Sequence, residues 1–311
     1  MMKTNLITLY CAVCQCYDTR IAALVQCFSN NSQPKFTDQE VLTVYIWGLM
    51  EGQRTIKGTH KLAKHYLHSW FPALPSYQAF CRRLNLLSAA FHELAAYWME
   101  GWAVLAAPSK AFVLDSFPVI LAKQSRSGRA KVAREACNKS YCASRGEWYY
   151  GIKLHALNRL QYRKMPISEA IILSSASEAD IDAVKQLVLE ANFLRYCELY
   201  AGRAYIDRKW ADLLKETHGV MLLLTPRRER KGVTESLISD DAYSTSVSRI
   251  RQPIEGFFNW LNEKTGIQVA SKVRSSAGLL VHVLGRFNVA FAFRSSLLTL
   301  DSHLQIKVVS G

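Results

Sequence analysis

Residues 111–121 read AFVLDSFPVIL, and this stretch decides the fold class. It is short, apolar and rich in β-branched side chains, which is typical of a strand that is buried on both faces. Strands of that kind lie in sheets with helices packed on either side. We therefore expect an α/β domain to begin here, with Asp115 as the one charged residue inside an otherwise buried strand.

The chain downstream of this strand alternates between strand-like and helix-like patterns. The predicted order, β-β-β-α-β-α-β-α, indicates a mixed sheet flanked by helices. After the first strand, the predicted strands are residues 148–157, 167–175, 197–207 and 220–226, and the predicted helices are 177–194, about 208–216, and 251–264.

Residues 1–105 instead show helical spacing, and we expect them to form a separate helical domain. Thr37 is followed by Glu40 three residues later, a capping box that predicts a helix start. A second start is predicted at Ser76, with Phe80 and Leu84 on its apolar face. The segments 54–67 and 76–87 are candidates for a DNA-binding unit like a helix-turn-helix, and a plain packing bundle is the alternative.

The net charge of +14 indicates a polyanionic partner, either nucleic acid or an anionic membrane surface. Residues 123–164 carry 11 Lys and Arg against 2 acidic residues, interleaved with Ser, Gly and Tyr, which favours contacts to DNA phosphates over a merely solvated loop. A second basic stretch is residues 226–231, PRRERK. The predicted DNA contacts are Arg126, Arg129, Lys131, Arg134, Lys139, Arg145, Lys153, Arg227, Arg228 and Arg251.

Membrane and metal-finger interpretations find little support in the sequence. The apolar stretch 279–300 contains His282, Arg286 and Arg294, which are costly in a span of about 20 residues. Eight scattered cysteines suit a reducing cytosol. Cys11, Cys14 and Cys16 invite a zinc interpretation, but no second pair follows at finger spacing, and buried thiols on a helix are the favoured alternative.

Three carboxylates stand out as candidates for metal-dependent phosphodiester chemistry. Asp115 ends a buried strand, where an isolated charge is costly unless it is paired or binds a metal. Asp207 follows the strand-like run CELYAGRAYI, residues 197–206. Glu255 lies four residues after Arg251, so Arg251 and Glu255 share one helical face. Such chemistry needs two or three carboxylates that converge around two cations roughly 4 Å apart. Spacing alone does not establish that convergence, and a turn-capping Asp115 and a simple Arg251–Glu255 surface pair are the alternatives.

Four blocks, FVLDSFPV, YCASRGEWYYGIKLH, LYAGRAYIDRKW and RQPIEGFFNWL, resemble the DDE transposases of bacterial insertion sequences, most closely the insertion-sequence 982 family. The resemblance spans residues 110–295. It implies a ribonuclease-H-like catalytic domain over residues 106–311, Mg²⁺ or Mn²⁺ as cofactor with two ions, and cut-and-join chemistry on double-stranded DNA. It also implies a cytoplasmic, nucleoid-associated protein that assembles as a homodimer on DNA.

The resemblance places the first catalytic Asp at Asp115 and the Arg-x-x-x-Glu signature at Arg251 and Glu255. The middle position departs from the family pattern, because relatives commonly have Ala-Asp-Lys-Ala-Tyr where this chain has AGRAY, with Gly202 at the Asp position. Asp207 is the nearest acid, and we expect it to complete the set. The alternatives are a catalytically impaired DNA-binding descendant of a transposase and a metal-dependent nuclease without strand transfer.

Overall fold

The computed structural model describes residues 2–25, 34–105, 107–143, 145–225 and 236–309. The chain divides into two compact units, one formed by Met1–Trp98 with Leu261–Gly311 and the other by Met99–Trp260. The compact helical unit thus includes Leu261–Gly311, which lies within the span 106–311 that the resemblance assigns to the catalytic domain. The physical reason is that the last helix packs against N-terminal helices, with the Asn288 side-chain amide donating to the Phe91 carbonyl over 2.9 Å.

The helical unit is built around one helix that is buried on nearly every side. This helix, α3, begins after Thr37, whose hydroxyl accepts from the Glu40 N–H while its own N–H donates to the Glu40 carboxylate, so the predicted capping box is confirmed. Ser76 likewise caps α5. The helices are α1 (Met2–Cys16, continued by a π-turn at Tyr17–Ile21), α2 (Ala22–Val25), α3 (Asp38–Met50), α4 (Ile56–Tyr66), α5 (Tyr77–Leu86), α6 (Ser88–Leu105), α9 (Ser236–Thr265) and α10 (Ser276–Val309), of which α6 and α9 run on into the second unit.

The structure bears on the helix-turn-helix, membrane-span and cysteine interpretations of this unit. The connection from Tyr66 to Tyr77 is longer than the turn of three to four residues in a helix-turn-helix. Helix α10 is long and apolar enough over Ser276–Phe293 to cross a membrane, but 72% of that window is buried inside the protein. Burial of that extent is the behaviour of a core helix. Cys11 is exposed and Cys16 is buried, both on α1.

The second unit contains a mixed six-stranded sheet. Its strands are β1 (Ala111–Lys123), β2 (Asn138–Cys142), β3 (Glu147–Gln161), β4 (Lys164–Ser175), β5 (Glu198–Ala201) and β6 (Met221–Leu224), with helices α7 (Asp180–Glu190) and α8 (Arg208–His218). The strand order is β2-β3-β1-β5-β6. Strand β4 also pairs with β3, along the part of β3 that follows its pairing with β2. Strand β1 runs antiparallel to β3 and parallel to β5, and β5 runs parallel to β6.

Helices cover both faces of this sheet, as predicted. Leu114 points toward one face and packs in a core with Val184 of α7 and Leu214 of α8. Side chains alternate along a strand, so Asp115 and Phe117 point toward the other face, where the Phe117 ring lies 4.5 Å from the Phe258 ring of α9. The sheet therefore separates α7 and α8 from α9.

Candidate active site on β1 beside the end of β5

Asp115 and Gly202 lie where the parallel pairing of β1 and β5 stops. The register pairs Leu114 of β1 with Ala201 of β5, and each is followed at once by one of these residues. Strand β5 ends here, whereas β1 continues to Lys123 beside β3. This edge of β1, left uncovered beyond the end of β5, is where side chains from β1, β5 and α9 can converge.

Asp115 is held by hydrogen bonds in a largely buried position. Its side chain is 21% exposed, its Oδ2 accepts from the Arg251 Nη2 over 2.7 Å, and its Oδ1 accepts from the Ser116 N–H over 2.9 Å. Burial raises the pKa of Asp115, while the Arg251 charge opposes that rise. The pair keeps a carboxylate in a place where an unpartnered one would be costly.

Glu255 joins this pair from the same helix. It is exposed one turn beyond Arg251 on α9, and its charge also raises the pKa of Asp115, which places the two carboxylates within electrostatic reach. Ile254, Phe257 and Phe258 form a buried stripe that packs α9 against the sheet. The structure thus pairs Asp115 with Arg251 across 136 residues of sequence and places Glu255 within electrostatic reach of Asp115.

Gly202 lies directly against the guanidinium of the Asp115–Arg251 pair. A Cβ atom built at Gly202 would lie 3.2 Å from the Arg251 Nη2 and 3.4 Å from its Cζ, so this position faces the guanidinium directly. The backbone there, at φ −81° and ψ 178°, is extended and open to any residue. An acidic side chain at this position would point into the site.

Asp207 is engaged elsewhere. It caps α8 by accepting from the Trp210 N–H over 3.2 Å, and it forms an ion pair of 2.9 Å with Lys185 of α7. The hydrogen bond from Lys185 lowers the pKa of Asp207. Its carboxylate is thus tied to the helices of the sheet face opposite to Asp115. In the described part of the chain, no three acidic, His or Cys side chains are close enough to hold one metal ion.

The carboxylates at this edge match one divalent ion better than two. Mg²⁺ is commonly held in proteins by one or two carboxylates together with water and substrate phosphates. Asp115 and Glu255 can supply these two carboxylates. A two-ion site needs further carboxylate oxygens. Gly202 supplies none, and Asp207 is bound to Lys185.

The predicted DNA-binding cations fall into two groups. Arg126, Arg129, Lys131, Arg134 and Lys139 are exposed between β1 and β3, with the Lys139 ammonium 4.7 Å from the centre of the Trp148 ring. By contrast, Lys153 is only 14% exposed and paired with Asp180, and Arg145 lies 4.0 Å from Glu147. Arg227 and Arg228 lie outside the described residues.

Sequence reasoning missed a polar network beneath this site. The Ser116 hydroxyl donates to the Asp180 carboxylate over 3.0 Å, and the Tyr205 hydroxyl lies 3.3 Å from the Nδ1 of His155. His155 is fully buried, and that burial lowers its pKa to about 4, so it is neutral at pH 7. Its inward position follows from strand alternation along β3, a signal present in the sequence. The network anchors the residue that follows Asp115.

The sheet, its helices and the site residues together define a class of fold. A mixed sheet in this order, helices on both faces, an acidic residue on β1 and an Arg-x-x-x-Glu helix facing it constitute a ribonuclease-H-like fold. A family model described as the transposase DDE domain matches residues 107–289. The chain belongs to that family, whose members are phosphoryl-transfer enzymes that generally use divalent metal ions. Comparison with curated proteins and with solved structures gave no match.

Proposed function

We propose that this protein is the DNA transposase of a bacterial insertion sequence, similar to the insertion-sequence 982 family. It would bind double-stranded DNA at the ends of the element, cleave it in the presence of Mg²⁺ or Mn²⁺, and join the cut end to target DNA. The observation that carries this proposal is the pairing of Asp115 on β1 with Arg251 on α9, with Glu255 within electrostatic reach. We further propose a homodimer assembled on DNA in the cytoplasm, in association with the nucleoid.

Asp115 and Glu255 are the residues that would hold the divalent ion. When bound, the ion would offset the charge that develops on a scissile phosphate. Arg251 has two roles in this arrangement. Its charge opposes the rise in the pKa of Asp115 that burial causes, and a guanidinium can also donate to a DNA phosphate.

The exposed cations Arg126, Arg129, Lys131 and Arg134 support DNA binding by the same unit. They lie in the stretch after β1 with no carboxylate within 4 Å among the described residues. Cations that are not neutralised within the protein remain available for phosphates. Lys153 is a weaker candidate because its ammonium is paired with Asp180.

A second candidate is a DNA-binding transposase descendant with impaired cleavage. It is favoured by Gly202, which faces Arg251 where the relatives have an acid, and by the engagement of Asp207 with Lys185. On this hypothesis the fold and DNA binding persist while the carboxylate set is one member short. The two candidates differ in what Gly202→Asp does.

The decisive experiment compares the parent with Asp115→Asn, Asp207→Ala and Gly202→Asp on a duplex that carries the end of the element, with Mg²⁺ or Mn²⁺. Asp212→Asn, which changes an exposed Asp on α8, is the matched control. The transposase proposal expects cleavage by the parent and the control, and none by Asp115→Asn although it still binds the duplex.

Three other results would redirect the proposal. Cleavage by Gly202→Asp but not by the parent would establish the impaired descendant. Cleavage by the parent without joining to a second duplex would indicate a nuclease. Loss of cleavage in Asp207→Ala, equal to the loss in Asp115→Asn, would return Asp207 to the metal site.

A further inference from the structure

The helical unit contains a cavity of about 470 Å³, which lies wholly within that unit. That volume is in the range of sites that hold small ligands or parts of larger ones. Its walls come from α3, α4, α5, α10 and the segment that joins α9 to α10. Five of its lining residues are cationic and none is acidic, the cations being Arg54, Lys57, Lys272, Arg274 and Arg286.

The four exposed cations among these have no carboxylate partner in the described part of the chain. The Arg54 guanidinium donates to the Glu263 main-chain carbonyl over 3.2 Å, and Arg274 donates to the carbonyls of Ser271 and Val273. Hydrogen bonds to carbonyls position a guanidinium without neutralising its charge. The mouth of the cavity is therefore strongly positive.

Arg286 forms the base of the cavity and adds a fixed charge. It is only 4% exposed, and its guanidinium donates to the carbonyls of Thr265, His282 and Arg54 and to the Tyr45 hydroxyl. Burial, and after it the Arg286 charge, lowers the pKa of the neighbouring His282 to about 3, so the imidazole is neutral at pH 7. A buried guanidinium without a counter-ion stabilises an anion bound nearby.

Two helix N-termini open at the same cavity. Thr55 caps α4 by accepting from the Gly58 N–H over 3.0 Å, and Ser275 accepts from the Gly278 N–H over 3.1 Å at the start of α10. The remaining first-turn N–H groups of a helix, together with its dipole, favour negatively charged ligands. The dipoles of two helices thus reinforce the charge of the five cations.

We propose that this cavity binds backbone phosphates of duplex DNA, giving the helical unit a DNA contact separate from the carboxylate site. The inference rests on the proposed function, because DNA is the polyanion that the family acts on. The proposed contact differs from that of a helix-turn-helix. DNA is bound at the starts of α4 and α10 and the loops before them, and not by one exposed helix face.

The test measures duplex affinity by fluorescence anisotropy from low to moderate NaCl concentration. Lys57→Gln/Lys272→Gln removes two exposed cavity cations, and Lys35→Gln/Lys264→Gln removes two exposed lysines of the same unit outside the cavity. We expect the cavity variant to bind more weakly, with a log–log salt slope shallower by about 0.9 per lost phosphate contact, thus up to about 1.8. The control should keep the parental slope.

Other outcomes overturn the inference. A parental salt slope in the cavity variant would overturn the inference. If the same variant cleaves the duplex as the parent does, the proposed function still stands. An equal loss in Lys61→Gln/Lys64→Gln would place the contact on the exposed face of α4. Calorimetric binding of pyrophosphate that is lost in the cavity variant, with duplex affinity unchanged, would assign the cavity to a free phosphorylated ligand.

Discussion

Replacing Arg251 by Met should destabilise the sheet unit in a strongly pH-dependent way. The change keeps the aliphatic length of the side chain but removes the guanidinium that donates to Asp115 over 2.7 Å. Arg251 is the principal charge that opposes the burial-driven rise in the pKa of Asp115. Without it, an ionised Asp115 would lack its compensating charge.

The magnitude follows from the exposure of the pair. The side chains of Arg251 and Asp115 are 12% and 21% exposed, so solvent screens them only partly. Leaving one partner of a buried ion pair alone costs about 3–5 kcal/mol. We expect about 3 kcal/mol at pH 8, the low end, because the Ser116 N–H still donates to Asp115.

The sign of the pH dependence follows from the raised pKa. An acid whose pKa is higher in the folded than in the unfolded state contributes stability below its unfolded pKa, near 3.8, and loses that stability as the pH rises through the folded value. Arg251→Met raises the folded value further. The loss in unfolding free energy should therefore shrink as the pH falls, because Asp115 takes up a proton instead of remaining charged.

Hydrogen exchange of the slowest β1 amides measures this loss within the sheet unit. A loss of about 3 kcal/mol corresponds to exchange faster by roughly 150-fold at pH 8. Asp115→Asn/Arg251→Met is the control, because it removes both charges and should recover much of the protection. Equal acceleration at pH 5 and pH 8, or no recovery in the double variant, would show that Arg251 acts by packing and refute the electrostatic argument.

Two further predictions concern the two units separately. Replacing Arg126, Arg129, Lys131 and Arg134 by Gln should weaken binding to all duplexes and reduce the salt slope by nearly one unit per lost contact, and a parental slope would identify this stretch as a solvated loop. Gly48→Ala should destabilise the helical unit by about 1–3 kcal/mol in urea denaturation, because a Cβ there would lie 2.3 Å from the Thr59 Cγ2. Gly101→Ala, in the part of α6 that belongs to the sheet unit and with open space around it, should leave the stability of both units unchanged.

The strands that sequence predicted correctly carry local signals. The apolar run around Leu114 is buried on both faces, and β1 forms there as expected. Strand β2 was missed because NKSYC is polar and pairs only with the first part of β3. Strand β5 was predicted too long, because the apolar pattern continues past Gly202 although the chain there enters a 3-10 turn at Arg203–Tyr205.

Long-range placement was not predictable from these local patterns. The spacing of Arg251 and Glu255 puts them on one helix face, but their approach to Asp115 depends on the packing of α9 against the sheet. Asp207 is near Gly202 in sequence, yet the turn after β5 brings it to Lys185 of α7. Nothing in the pattern of residues 261–311 indicates that they pack with the N-terminal helices.

The charge balance around Asp115 ties the fold to the question of activity. Asp115 and Arg251 neutralise one another, and Glu255 is exposed, so this edge of the sheet holds little excess negative charge to attract a divalent ion. A carboxylate at 202 would share the Arg251 guanidinium, which would lie within 3.4 Å of its Cβ, and would leave one uncompensated charge in a partly buried place. Such a charge favours a bound cation. The absence of a side chain at Gly202 therefore weakens metal binding by charge as well as by ligand count, while the contacts that hold β1 to α9 remain intact.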